Sequence, residues 1–139
     1  MHTPTTFLQL SPAIQLHLVA AVAALVLGPI ALRAGKGSAM HRGAGYAWAA
    51  LMLAAAASSL FIHDFGRPNI AGYTPIHLLT LATFAGVAAG IVLAIRRRVG
   101  AHRRTMWNTY LGGCVGAGLF ALLPGRFLHG LFQHALGGL

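Results

Sequence analysis

Eight histidines and a single carboxylate, Asp64, stand in a chain whose remaining charge is ten Lys and Arg. Five of those histidines, His17, His41, His63, His77 and His102, lie in or at the ends of long apolar runs. Imidazole ligates haem iron, copper and zinc well. It is also the side chain most easily protonated near neutral pH. An ionisable residue in a membrane segment is a functional candidate by default, because burying it is costly.

The spacing of these residues gives them an arrangement. One half of the chain reads Pro12, His17-Leu18, His41-Arg42 and Gly66-Arg67. The other reads Pro75, His77-Leu78, His102-Arg103 and Gly125-Arg126. The step from the first histidine to the second is 24 residues in one half and 25 in the other. Three elements in register describe a tandem two-helix unit. Two crossings restore the original direction, so the units are expected to be parallel, related by a pseudo-twofold axis along the membrane normal. His17 and His77 then form an outer pair, and His41 and His102 an inner pair, each on diagonal helices. His63 returns to nearly the same helical face as His41 and stands beside Asp64, which can orient an imidazole.

Two diagonal pairs are the layout that two b-type haems stacked across a four-helix bundle require. Arg42 and Arg103 would neutralise propionates on the inner side, and Arg67 and Arg126 on the outer. Copper or another metal at His17, His41, His63, His77 and His102, or a quinone pocket with histidine donors, are the alternatives. In the structural reading, His-Arg is a membrane-boundary dipeptide and His17 and His77 hydrogen-bond a neighbouring helix. His2 reads as tail, and His129 and His134 as interfacial. Tyr46, Trp48, Trp107 and Tyr110 read as an aromatic belt. Cys114, the sole cysteine, reads as a small packing residue. No nucleophile with an adjacent base, paired carboxylates, Cys-x-x-Cys or phosphate loop is visible.

Charged residues are 8% of the chain and apolar residues 57%. A soluble domain carries roughly a quarter charged residues, so lipid is the expected solvent. The basic residues sit between apolar runs without interleaved polar surface, which argues against nucleic acid. A secretory signal is not expected, for want of a basic leader or a cleavage site after the first run. Four spans are expected, at about Pro12–Ala34, Met40–Ile62, Pro75–Ile95 and Ala101–Leu123. Each is long enough for a hydrocarbon core of ~30 Å. Pro29 should kink the first unless a neighbour takes up the carbonyl it frees. Eight of the ten basic residues flank the first and third connections, so that side is cytoplasmic and both termini face outward.

The expected fold is therefore an all-α integral membrane protein. One membrane domain, 1–139, forms an up-down bundle of four transmembrane helices. It comprises repeat 1 (about 12–67), repeat 2 (about 75–126) and a short interfacial helix over 127–139.

Three stretches carry a resemblance. His17-Leu18 with Gly28-Pro29, His41-Arg42-Gly43-Ala44-Gly45-Tyr46 and Ala101-His102-Arg103-Arg104-Thr105-Met106 resemble a bacterial membrane family, domain of unknown function 2306. The likeness runs from about Pro12 to Arg126. Members often carry Arg where this chain has Tyr46. The resemblance implies a four-helix protein of the bacterial inner membrane and no established activity. The diagonal histidines are also similar in layout to the ascorbate-reducible dihaem b-type cytochromes. That likeness would carry a ligand role to His17, His77, His41 and His102.

The functional expectation is a membrane electron-transfer protein or redox subunit holding haem b, an enzyme only as part of a membrane oxidoreductase. Its partners would be the bilayer, a quinone, a larger membrane complex or a second copy. The alternative is a non-catalytic accessory subunit whose histidines are structural.

Overall fold

A computed structural model of the protein describes residues 7–62 and 77–123. Every regular element among them is helical. A 3₁₀ turn at Phe7–Gln9 leads to α1, Pro12–Arg33. Ser11 caps α1, its side chain accepting from the Ile14 N–H at 3.4 Å, and Pro12 occupies the first turn, where a missing N–H costs nothing.

Helix α1 passes through Pro29 without breaking. A proline at 29 removes the N–H that would reach the carbonyl of Leu25. The Tyr110 hydroxyl donates to that carbonyl instead, at 3.1 Å. The orphan created by one helix is thus satisfied by another.

Gly37, at φ 78°, makes the turn after α1, and the Ser38 N–H donates to the Gly35 carbonyl at 3.0 Å. Ser38 then caps α2, Ala39–Ser59. The α2 helix ends three residues before the expected Ile62. Over Leu60–Ile62 the chain tightens into bonds from each N–H to the carbonyl three residues back.

Helix α3, His77–Ile95, ends on Arg97 in the left-handed region at φ 57°. The Arg97 and Arg98 N–H groups donate to the carbonyls of Ala94 and Leu93, closing the helix as glycine more often does. Helix α4, Val99–Tyr110, starts two residues before the expected Ala101. It continues through a π-helical segment, Leu111–Gly116, into α5, Ala117–Ala121.

The helices pack in a ring: α1 against α2, α2 against α3, α3 against α4, and α4 back against α1. Hence α2 and α4 lie on one diagonal. The core is Ala24, Trp48, Met52, Val87, Tyr110 and Cys114. Small residues let these crossings close. A Cβ at Gly28 would collide with the Tyr110 ring, one at Gly86 with Thr109, and one at Gly90 with Met106. Trp48 and Tyr110 therefore belong to the interior, correcting the aromatic-belt expectation for both. The ring of Tyr110 fits against the bare backbone of Gly28, and Trp48 lies beside it. Tyr46 remains exposed.

Large apolar side chains point outward instead. Val19, Val22 and Val26 of α1 and Leu78, Leu81 and Ile95 of α3 are all more than half exposed. A small-residue interior with a large apolar exterior suits lipid rather than water. Among the described residues, two helices, α1 and α3, are long and apolar enough to cross a membrane. His63, Asp64, Arg67 and Pro75 lie outside the described residues, as do His2, Arg126 and residues 127–139.

A histidine pair at the arginine-rich end

His41 is fixed from both its backbone and its ring. The Ser38 side chain accepts from the His41 N–H at 3.1 Å, which sets the first turn of α2. The ring then reaches back to α1, where Nδ1 donates to the Ala31 carbonyl at 2.9 Å. Ala31 lies in the last turn of α1, where carbonyls run out of helical donors. His102 repeats the arrangement in the second half. Its N–H donates to the Arg98 carbonyl at 2.9 Å, and its Nδ1 donates to the Gly90 carbonyl of α3 at 2.8 Å.

These anchors bring the two rings together across the diagonal. Their centroids are 6.3 Å apart and their planes stand at 85°. A carbonyl oxygen can only accept, so both rings carry the proton on Nδ1. In the neutral imidazole that leaves the Nε2 lone pair as the ligating atom. A carbonyl holding Nδ1–H is the usual support for a histidine that binds metal through its other nitrogen. Two imidazoles on opposite sides of one metal at ~2.0–2.1 Å from each nitrogen have ring centres about 6 Å apart. A tetrahedral angle at the metal would shorten that to about 5 Å.

His17 and His77 are held differently. His17 Nδ1 donates to the Ala55 carbonyl of α2 at 2.8 Å, with Ser58 Oγ at 3.5 Å and itself donating to the same carbonyl at 3.0 Å. His77 uses the other nitrogen: Nε2 donates to the Ile62 carbonyl at 3.2 Å. Both rings are drawn toward the C-terminal end of α2, which packs between α1 and α3. Their acceptors are seven residues apart, about 10 Å along a helix axis. Ser59 and Thr80 join α2 to α3 nearby, their hydroxyls 2.8 Å apart.

Of the two arginines expected near a cofactor, Arg42 donates from Nη1 to the Gly37 carbonyl and is exposed, as is Arg103. Arg33, Lys36, Arg96, Arg97, Arg98 and Arg104 surround the same end of the bundle in sequence. Among the described residues, no group of three or more His, Cys, Asp or Glu converges to hold a bare ion. A haem needs only two protein ligands, because its macrocycle brings four nitrogens of its own.

A second feature escapes the histidine pattern. A cavity of about 300 Å³ opens between α3 and α4, lined among others by Thr83, Thr105, Asn108 and Thr109. Thr105, Asn108 and Thr109 follow helical spacing on one face, and that polar run inside an apolar stretch was the available signal.

Comparison with curated proteins and with solved structures finds no match. A family profile described as "Predicted membrane protein (DUF2306)" matches residues 14–136. With nearly its whole length covered by that profile, an apolar exterior and an all-helical fold, the chain belongs to the DUF2306 family of predicted membrane proteins.

Proposed function

We propose that this is a membrane-embedded electron-transfer protein, or the redox subunit of a larger complex, that holds b-type haem between His41 and His102. The observation that carries the reading is the 6.3 Å centroid separation of the two rings, each with its Nδ1 bonded to a main-chain carbonyl. The Nε2 atoms are then the nitrogens left to ligate. A haem bound there would be held by His41 and His102 through these nitrogens.

Bound haem would supply one-electron redox chemistry. The chain's own residues orient and enclose it. The carbonyls of Ala31 and Gly90 hold the imidazoles against rotation and raise their basicity. Arg42, released from the Gly37 carbonyl, and Arg103 are placed by sequence next to each ligand to meet propionates. In this reading all four helices cross a bacterial inner membrane, with the histidine pair near the cytoplasmic face and both termini periplasmic. The outer histidines, His17 and His77, would have to leave the carbonyls of Ala55 and Ile62 to act as a second pair.

One observation favours the rival reading of an accessory subunit. All four histidines donate to main-chain carbonyls, a bonding pattern that joins helices without any cofactor. A reduced-minus-oxidised visible spectrum separates the two. Protein expressed with haem supplied and purified in detergent should show a sharp Soret and α-band. A colourless preparation would leave the histidines structural.

A further inference from the structure

The cavity between α3 and α4 is an open hollow on the side of the bundle. At its base is Thr83, 7% exposed, with no hydrogen-bond partner among the described residues. Its Oγ1 faces Gly113 closely enough that a Cβ there would lie 3.2 Å away. Glycines make the space: Gly86 from α3, and Gly112 and Gly113 from the π-helical segment. Gly112 is exposed, and a Cβ added to it would meet nothing within 4 Å. Asn108, exposed at the mouth, offers a carboxamide about 14 Å along the helix from its start at Val99. That depth is close to mid-membrane if the helix spans. A carboxamide and a hydroxyl that face hydrocarbon without partners among the described residues are costly, and the cost is recovered when something bonds to them. A π-helical insertion at such a place is itself a frequent companion of binding sites.

The occupant these groups select has three properties. It is neutral, because among the described residues no charged side chain lines the cavity. It carries polar atoms that hydrogen-bond, because a hydroxyl and a carboxamide each donate and accept, and both can donate to a carbonyl oxygen. It enters from lipid through an open side and so carries hydrocarbon. A volume of about 300 Å³ suits a compact ring and the start of a tail, at the small end of ligand pockets. We propose that this cavity binds the headgroup of a lipid-soluble quinone, Thr83 and Asn108 donating to its carbonyl oxygens and Gly112 leaving room for the ring. A helix from a second copy, laid across the mouth, would meet Asn108 but not the hydroxyl at the base. Thr105 and Thr109 follow His102 by one and two turns, so the ring would lie about 5–10 Å along the axis from the histidine pair. The binding itself rests on the cavity and not on haem.

The test uses the full-length protein in detergent micelles titrated with decylubiquinone, read by quenching of tryptophan fluorescence. Decylbenzene, with the same tail and no carbonyl, is the control. Saturable quenching near one quinone per chain is expected, with none from decylbenzene. Gly112→Leu should abolish it, and Thr83→Val and Asn108→Leu should each weaken it about 10-fold, while Thr83→Ser retains it. Circular dichroism checks that each variant folds; should Gly112→Leu fail, Asn108→Leu on the exposed rim decides. Quenching that never saturates, or that is the same in every variant, overturns the proposal. So does a change from oligomer to monomer in Asn108→Leu with the quinone titration unmoved, which would give the face to a second copy. Saturable binding to a colourless protein would uphold the cavity and defeat the haem reading alone.

Discussion

Removing the Tyr110 hydroxyl should destabilise the bundle through a carbonyl on a different helix. Pro29 leaves the Leu25 carbonyl without its helical donor, and the Tyr110 hydroxyl occupies it at 3.1 Å. Tyr110→Phe keeps the ring that packs on Gly28 and deletes only the donor. Interhelical hydrogen bonds in membranes average ~0.6 kcal/mol and reach ~1.7 kcal/mol. The carbonyl here has no helical alternative, so a cost of about 1–1.5 kcal/mol is expected. Pro29→Ala restores an N–H for Leu25. In that background Tyr110→Phe should cost less than half as much, a coupling of about 0.5–1 kcal/mol. Unfolding in mixed micelles of increasing SDS fraction, followed by circular dichroism, measures all four corners of the cycle. Equal costs in the two backgrounds would refute the claim that the hydroxyl serves the carbonyl.

Other perturbations test the frame around the candidate site. Gly28→Ala pushes a methyl into the Tyr110 ring and should destabilise by about 1–3 kcal/mol in the same assay. Ser38→Ala removes the cap on the His41 N–H and should cost about 1 kcal/mol, whereas Ser38→Asp should retain most of the stability. Arg97→Gly relieves a left-handed backbone and should stabilise by about 1 kcal/mol.

The helix positions were legible because apolar runs and punctuating residues agree. Ser11-Pro12, the Gly35-to-Ser38 turn and Pro29 each act where sequence rules place them. The inner pair was legible too, since the His-Arg repeat set His41 and His102 at equivalent places on alternate helices. The role of Trp48 and Tyr110 was not. An aromatic near a helix end reads as interfacial until its facing residue is known, and Gly28 is the facing residue. The tautomers were equally hidden, because the spacing of His17 and His77 says nothing of which carbonyl each ring meets. The π-helical segment left no clear trace either. Gly112, Gly113 and Gly116 weaken the α-helix there but read as ordinary packing glycines.

The central claim is that His41 and His102, rather than the outer histidines, hold the haem. Haem retained per chain, measured by pyridine haemochrome on purified wild type and on His17→Ala, His77→Ala, His41→Ala and His102→Ala, tests it most directly. Haem near one per chain is expected in wild type, His17→Ala and His77→Ala, and its loss in His41→Ala and His102→Ala. Haem absent from wild type, or retained in full by His41→Ala and His102→Ala, would contradict it.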